Sequence, residues 1–282
     1  MINQIIEVLP EVTMHHSRCS NLYKILDNAA KTCVKNSKLS SEDNTAINIG
    51  NFGSLIFPYF KMGAIDSLDL FGLDELIIFS FYWANRNRYK ATADIGANLG
   101  IHSIMMSRCD FDVVAYEPDP THLKILKRNL DLNAIKNTKV EEKAVSDKPG
   151  KLEFIRVLGN TTGSHLAGAK SNPYGDLETF EVDVESIEVI MSNSDFVKID
   201  AEGQEKVILL ATNSKHWEST DAIVEVGTSD NALAIFNHFN SLGVNLFSQK
   251  INWKKVIHLD DMPVSYNEGS LFISTKLTMP WS

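Results

Sequence analysis

A strand-like run, ATADI, ends at residue 95 in a loop whose glycines, Gly96 and Gly100, stand four positions apart, and an apolar helical pattern starts at residue 101. Glycine lets the backbone turn sharply and lets a ligand approach without a Cβ in the way. A helix start directly behind such a loop offers unpaired N–H groups. A strand that runs into a helix in this manner commits the chain to crossover connections, and so to parallel strand neighbours. The rest of the sequence keeps that rhythm. Strand patterns fall at 91–95, 112–116, 138–145, 195–199 and 222–226, and helical patterns at 101–109, 120–132, 205–212 and 232–242. Two closing runs, 244–249 and 270–275, read as antiparallel neighbours. The alternation predicts an α/β fold over residues 90–282, with a doubly wound, largely parallel sheet covered on both faces. Ligands of such sheets bind beyond the carboxyl ends of the strands, so function is sought right after each strand.

Residues 1–89 read as a separate helical and hairpin extension. One or two short helices are expected within 5–39, a polar loop at 36–44, and a hairpin at 46–59, where Gly50, Gly53 and Pro58 punctuate strand-like residues. Residues 73–87 are dense in Leu, Ile, Phe, Tyr and Trp at helical spacing. A helix that apolar is expected to pack against the sheet domain. Between 145 and 195 the sequence reads as an irregular insertion. Its Gly- and hydroxyl-rich parts, 159–165 and 168–175, suit either an ordinary surface loop or a lid over a sugar-like substrate. The C-terminal stretch from 262, ending near Trp281, is too aromatic for a free tail.

Composition narrows the partners. A net charge of −9 argues against coating a nucleic-acid duplex, which needs a basic footprint; no nucleic acid is expected. Cys19, Cys33 and Cys109 are odd in number and form no CxxC pair, which fits free thiols in a reducing compartment. The longest apolar run, 76–84, is about half of a bilayer-spanning helix, and the first residues lack a basic, then apolar, leader pattern. The expected setting is cytoplasmic, without a membrane span. Oligomeric state is open.

The first strand also carries Asp94, just ahead of the glycine loop. A nicotinamide dinucleotide site wants G-x-G-x-x-G and a pyrophosphate at the helix start; the G-x-x-x-G spacing here disfavours an oxidoreductase of that kind. An acidic loop suits a ligand with positive groups. The second strand ends in Glu117, where a carboxylate can accept both hydroxyls of a ribose, at roughly 1.5–3 kcal/mol for each charge-assisted bond. The bland alternatives are a turn residue for Asp94 and a helix-capping acid for Glu117.

Taken with further motifs, this segment resembles the FkbM-type methyltransferase family. The resemblance is carried by Asp94-Ile-Gly-Ala-Asn-Leu-Gly100 with Ser103, Glu117-Pro118-Asp119, Asn129 with Asn133, Ala144-Val145-Ser146-Asp147, and Val197-Lys198-Ile199-Asp200-Ala201-Glu202-Gly203. It covers roughly residues 90–250 and leaves the N-terminal third unaccounted for. It implies a Rossmann-like, seven-stranded methyltransferase sheet and S-adenosyl-L-methionine as cofactor. It further implies that Asp94, Gly96, Asn98, Gly100 and Glu117 bind that cofactor, with the strand end around Ala144 against the adenine.

Methyl transfer from a sulfonium is an in-line displacement, so the acceptor must be aligned and, for a hydroxyl, relieved of its proton. Lys198, Asp200 and Glu202 fall at the end of the fourth strand, and Glu225 at the end of the next. His165, in the insertion, is the histidine best placed for a general base. Each has a competing reading. Asp200 is equally suited to holding the cofactor ammonium, Glu202 to starting a helix, Lys198 to a structural ion pair and Glu225 to binding a metal or capping a loop. Histidines 15, 16, 122, 216, 238 and 258 read as surface or packing residues. No metal-ligand spacing stands out, and no metal is assigned. The expected activity is O-methylation of a sugar, glycan precursor or other small hydroxylated metabolite; no Asn-Pro-Pro-Tyr element of the kind found in amino-directed nucleic-acid enzymes is present. A non-catalytic module that only binds the cofactor is the competing class.

Overall fold

The structure, a computed structural model, describes residues 1–37, 39, 44–160, 163–168 and 175–281. Parts of the expected loops at 36–44, 159–165 and 168–175 therefore lie outside the described residues. The N-terminal segment forms α1 (Ile2–Val8), α2 (Asn21–Lys35), a two-rung hairpin of β1 (Ile47–Asn48) and β2 (Ser54–Leu55), and α3 (Leu73–Ala84). The alternation begins with β3 (Ala91–Ile95), α4 (Ile101–Ser107), β4 (Asp112–Tyr116), α5 (Pro120–Leu132) and β5 (Thr138–Glu141). Then come β6 (Lys143–Ser146), β7 (Gly150–Val157), β8 (His165–Leu166), β9 (Leu177–Ser186) and α6 (Ile187–Met191). The chain closes with β10 (Phe196–Ile199), α7 (Glu205–Leu210), β11 (Asp221–Glu225), α8 (Ser229–Leu242), β12 (Asn245–Ser248), β13 (Lys254–Lys255) and β14 (Ser270–Ser274).

The main sheet runs β13-β12-β14-β11-β10-β3-β4-β5. Its first seven strands counted from β5 are the expected seven, and the two-residue β13 adds an eighth at the edge. Strands β11, β10, β3, β4 and β5 are mutually parallel, while β14 is antiparallel to both β11 and β12. This is the Rossmann-like sheet that the resemblance implies.

Two expectations are corrected. The strand placed at 138–145 is broken: β5 stays in the main sheet, while β6 leaves it to pair in parallel with β9. The insertion is not irregular. It holds β7 and β9, paired over eight register positions, in a second sheet ordered β6-β9-β7-β8. The period-two signal was present in β9, where Phe180, Val182 and Val184 alternate with Glu181 and Asp183. Both strands present many charges to solvent, and that masks a short apolar face.

Strand alternation divides the core. Ala93, Ile95, Val197, Ile199, Ala222 and Val224 face α6, α7 and α8. On the opposite face Phe196, Ile223 and Phe272 join one apolar cluster with α1, α3, α4, α5 and the β1–β2 hairpin. So α3 supplies part of the helical layer that covers the sheet. Phe81, fully buried, meets Phe272 at 5.5 Å and Trp281 at 5.4 Å, and the C-terminal stretch packs back as its composition suggested. Asn133 ties the hairpin to the end of α5, accepting from the Ile56 N–H at 3.0 Å and donating to its carbonyl at 2.7 Å. Among the described residues no helix is long and apolar enough to cross a membrane.

Because Phe81 bridges α3, the sheet and the C-terminal stretch, Phe81→Ala is expected to destabilise the protein by about 3–5 kcal/mol. Urea unfolding would check this, and a loss under about 1 kcal/mol would show that α3 adheres only loosely.

Candidate functional site

Register builds the site. Ile95 is level with Tyr116 on one side and Ile199 on the other, and Ile199 is level with Val224. The next residue on each strand is Gly96, Glu117, Asp200 and Glu225, so four strand ends open on one rim. Gly96 has a φ of +75°, and a Cβ there would stand 1.7 Å from the Asp200 carbonyl oxygen. The Asp200 N–H donates to the Ile95 carbonyl at 3.0 Å, and Gly96 and Ala97 both donate to the Tyr116 carbonyl at 3.0 Å. Only glycine permits the first and fourth strand loops to touch in this way.

Glu117 is buried, with each oxygen satisfied by one backbone N–H. Oε2 accepts from Asn98 at 2.8 Å and Oε1 from Asp119 at 2.8 Å. Burial pushes its carboxyl up to about 8, the N–H groups of Asp119 and Asn98 opposing the shift. Asn98 takes the left-handed φ of 51° that this contact needs. Asp119 caps α5 through the Thr121 N–H at 2.7 Å and receives Arg156 of β7 in a two-pronged pair, at 2.9 and 2.6 Å. The inserted sheet is thereby clamped to the loop that carries Glu117.

Lys198 lies level with Asp94 on the neighbouring strand. Its ammonium is 3.3 Å from Asp200 and 3.7 Å from Asp94, and only 6% of the residue is exposed. Burial alone would lower the Lys198 pKa. Asp200, Asp94, Glu75 and Glu225 outweigh it and hold the group above the usual lysine value. Lys198 is thus a fixed cation and cannot serve as a base. Asp94, fully buried, also accepts from Ser103 at 2.6 Å.

A cleft of about 650 Å³ opens over these loops. Gly96, Asn98, Glu117, Ala144, His165, Asp200 and Glu202 line it, together with Tyr116, Phe154 and Leu166. Asp94, Gly100 and Lys198 do not line it. They lie beneath, Gly100 at the start of α4 with a φ of +88° and Leu126 closing over it. Their place is to shape the loops. His165 shares the wall with Ala144, Phe154 and Leu166, and its Nδ1–H donates to the Gly163 carbonyl at 2.8 Å. Glu202 does not start a helix, since α7 begins three residues later. It takes a φ of 50° on the cleft wall, an unusual value for a residue with a side chain.

Several functional neighbours escaped sequence reasoning. Glu205, fully buried, fixes the loop under Glu202 by accepting from Ala201 at 2.9 Å and Gly203 at 3.0 Å. His122, read as a surface or packing residue, is buried, lines the cleft and stands 4.0 Å from Glu117. His102 was overlooked, although it follows the glycine loop by two residues. Its Nε2 donates to Glu75 at 2.9 Å, and Tyr82 bonds its Nδ1 at 2.9 Å. The missing signal was the packing of α3, which carries Glu75 and Tyr82, against α4. The histidine expected to pack does so in the case of His16, whose pKa burial lowers to about 4 and whose Nδ1 accepts from the Trp253 indole. Among the described residues no cluster of His, Cys, Asp and Glu is arranged to hold a metal ion.

The cleft has the chemistry for an adenosyl amino acid. Glu117 offers a buried carboxylate to a diol, Gly96 keeps the loop open, and Asn98 Oδ1 is buried with no hydrogen-bond partner among the described residues. Ala144, Phe154 and Leu166 give an apolar wall for a flat base.

The chain is similar to several known proteins. Residues 94–244, which are 151 of the 282, match the family described as methyltransferase FkbM domain. The methyltransferase sdnD of Sordaria araneosa is 25% identical over 167 residues, 46% of this chain and 63% of that protein. The chain thus spans less than two thirds of that relative's length. Among solved structures, an O-methyltransferase from Bacillus cereus in complex with SAH is similar at 11% identity and a TM-score of 0.37, covering 70% of this chain and 80% of that one. A precorrin-6y C5,15-methyltransferase from Geobacter metallireducens is similar at 15% identity and a TM-score of 0.36, covering 68% and 82%.

Two predictions follow from the cleft. Below pH 8 Glu117 carries a proton in the free protein, and a diol favours the ionised form. S-adenosylhomocysteine affinity is therefore expected to rise with pH up to about 8, by up to about tenfold per unit, and to level off above. Calorimetry in buffers of different ionisation enthalpy should show proton release, absent in Glu117→Gln; an affinity as steep in that variant as in the wild type would refute the linkage. Gly96→Ala should abolish binding at millimolar ligand while the fold survives, because the methyl group would displace the Asp200 loop. Undiminished affinity would show that the two loops do not need their contact.

Proposed function

This chain belongs to the FkbM methyltransferase family, and we propose that it transfers the methyl group of S-adenosylmethionine to a hydroxyl of a sugar, glycan precursor or other small hydroxylated metabolite. The observation that carries this is the strand-end rim itself: a diol-binding Glu117 and a cleft-facing Asp200, brought together by the glycine contact between their loops. When bound, the cofactor supplies an electrophilic methyl group for in-line displacement. The chain's own residues then have distinct tasks. Glu117 grips the ribose hydroxyls, and the wall of Ala144, Phe154 and Leu166 shelters the adenine. In this reading His165, part of that wall, borders the base rather than the acceptor. Asp200, with its side chain about one-third exposed and Lys198 behind it, holds the cofactor ammonium.

Glu202 is left to take the acceptor proton. It faces the cleft from a strained loop that Glu205 locks in place, and backbone strain of this kind concentrates at functional positions. A positioned base contributes about 10²–10⁴-fold, and alignment several kcal/mol more. We place the reaction in the cytoplasm, in keeping with three free cysteines.

Single-turnover transfer of radiolabelled methyl groups to a panel of methyl hexosides, polyols, amines and thiols tests the reading. Label is expected on oxygen. Glu202→Gln should lose about two orders of magnitude in rate with adenosylhomocysteine affinity intact, whereas Asp200→Asn should weaken both. Label on nitrogen or sulfur alone would overturn the hydroxyl assignment. A wild-type rate in Glu202→Gln would leave alignment as the whole of catalysis.

A further inference from the structure

The residues before the family-matched segment build a second hollow. It lies between α2, the 66–75 turn and the end of β11, with an empty volume of about 1490 Å³, and Tyr23, Leu68, Asp74, Glu75 and Glu225 are part of its lining. Its inner residue Glu225 ends β11 beside Asp200, just past the end of β10, and Asp200 lines the cofactor cleft. Glu75 and Glu225 act electrostatically on Lys198, and Glu225 also feels Asp200 and Glu202, both of which line the cleft. A path into the strand-end rim from a side the cofactor does not occupy is what an in-line displacement requires of its acceptor.

The two inner carboxyls differ in state. Burial works against the charge on Glu75, but His102 overrides it, and the carboxylate stays below its ordinary range. His102 is itself anchored by Tyr82, so the acceptor atom at Glu75 is fixed in direction. Burial, with Asp200 and Glu75 nearby, pushes the Glu225 carboxyl well above the usual carboxylate range, which favours its protonated form. No hydrogen bond to the Glu225 side chain is found among the described residues. A hydroxyl, which both donates and accepts, matches this pair: it can donate to Glu75 and accept from Glu225. An ammonium has no acceptor to offer Glu225.

We propose that this groove is the acceptor site, that it takes a neutral polyol such as a sugar ring, and that Glu75 and Glu225 present one of its hydroxyls to the cofactor cleft. The proposal rests on the methyl-transfer reading for its orientation. It assigns a function to the N-terminal segment, which supplies Tyr23, Asp74 and Glu75 from outside residues 94–244. Asp74 closes the wall beside Glu75, accepting from Tyr23 at 2.9 Å and from Arg18 at 2.9 Å.

The test is ligand-observed saturation-transfer NMR on the full chain loaded with S-adenosylhomocysteine, using methyl α-glucoside, methyl α-mannoside, methyl α-galactoside and myo-inositol as probes. Two variants are compared with the wild type: Glu225→Ala, and Lys24→Trp, which puts a ring into the groove from the exposed face of α2. At least one probe is expected to bind the wild type at millimolar concentration. Both variants should weaken it tenfold or more, with adenosylhomocysteine affinity changed less than twofold. Absence of binding by every probe, or equal binding to both variants, would overturn the proposal. The same samples with radiolabelled adenosylmethionine separate the two readings. Binding in the groove without label transfer would sink hydroxyl methylation and keep the groove, whereas label transfer unaffected by either variant would do the reverse.

Discussion

A single buried ammonium organises the strand-end rim. Removing a charge from water costs several kcal/mol, and the interior returns that only where partners are close and well oriented. Lys198 finds them in Asp94 beside it and Asp200 two residues on, with Glu75 adding to the field. The pairing with Asp94 is a consequence of register, since level residues on adjacent strands project to the same face. The pairing with Asp200 holds the fourth loop down, and it is this loop whose carbonyl leaves room for nothing larger than Gly96. The glycine loop, the acidic loop and the cation therefore specify one another. A change at any of the three is felt by the other two.

That arrangement also explains why the chain cannot be divided neatly at residue 90. Lys198 lies on the sheet face covered by α3 and α4, and both helices send polar groups toward it: Glu75 from α3, His102 from α4. The same helices bury Phe79, Phe81 and Tyr82 against Phe196 and Phe272. An apolar layer and a charged rim are thus supported by one pair of helices. The dry layer keeps water from the ammonium and strengthens each contact it makes.

Much of the candidate cofactor site was legible because several of its residues stand close in sequence. Gly96, Asn98 and Gly100 belong to one turn, and Glu117 follows one strand later. The Asp94–Ser103 bond spans nine residues. What stayed hidden depends on distance along the chain. Nothing local says that Arg156 reaches Asp119, since the guanidinium arrives on a hairpin whose strands carry almost as many charges as apolar residues. His102 was passed over because its partners, Glu75 and Tyr82, come from a helix read only for its apolar content. Glu202 was weighed as a helix start, and only the observed φ and the grip of Glu205 make it a strained loop residue instead.

The two halves of the site consequently differ in how freely they can change. Cofactor contacts are nested inside the charge network, where Glu117, Asn98 and Asp119 share backbone hydrogen bonds and Lys198 joins two loops. A substitution there leaves a buried group without a partner, which costs about 1–3 kcal/mol for a polar group and more for a charge. The groove beside it is walled largely by α2 and the 66–75 turn, which meet the rim through Glu75 but contribute nothing to the Glu117 cradle. Its α2 wall includes exposed Lys24, Lys31 and Lys35, whose replacement would leave no buried group unpaired. A fold built this way can hold one cofactor rigidly while a different N-terminal segment refits the second hollow.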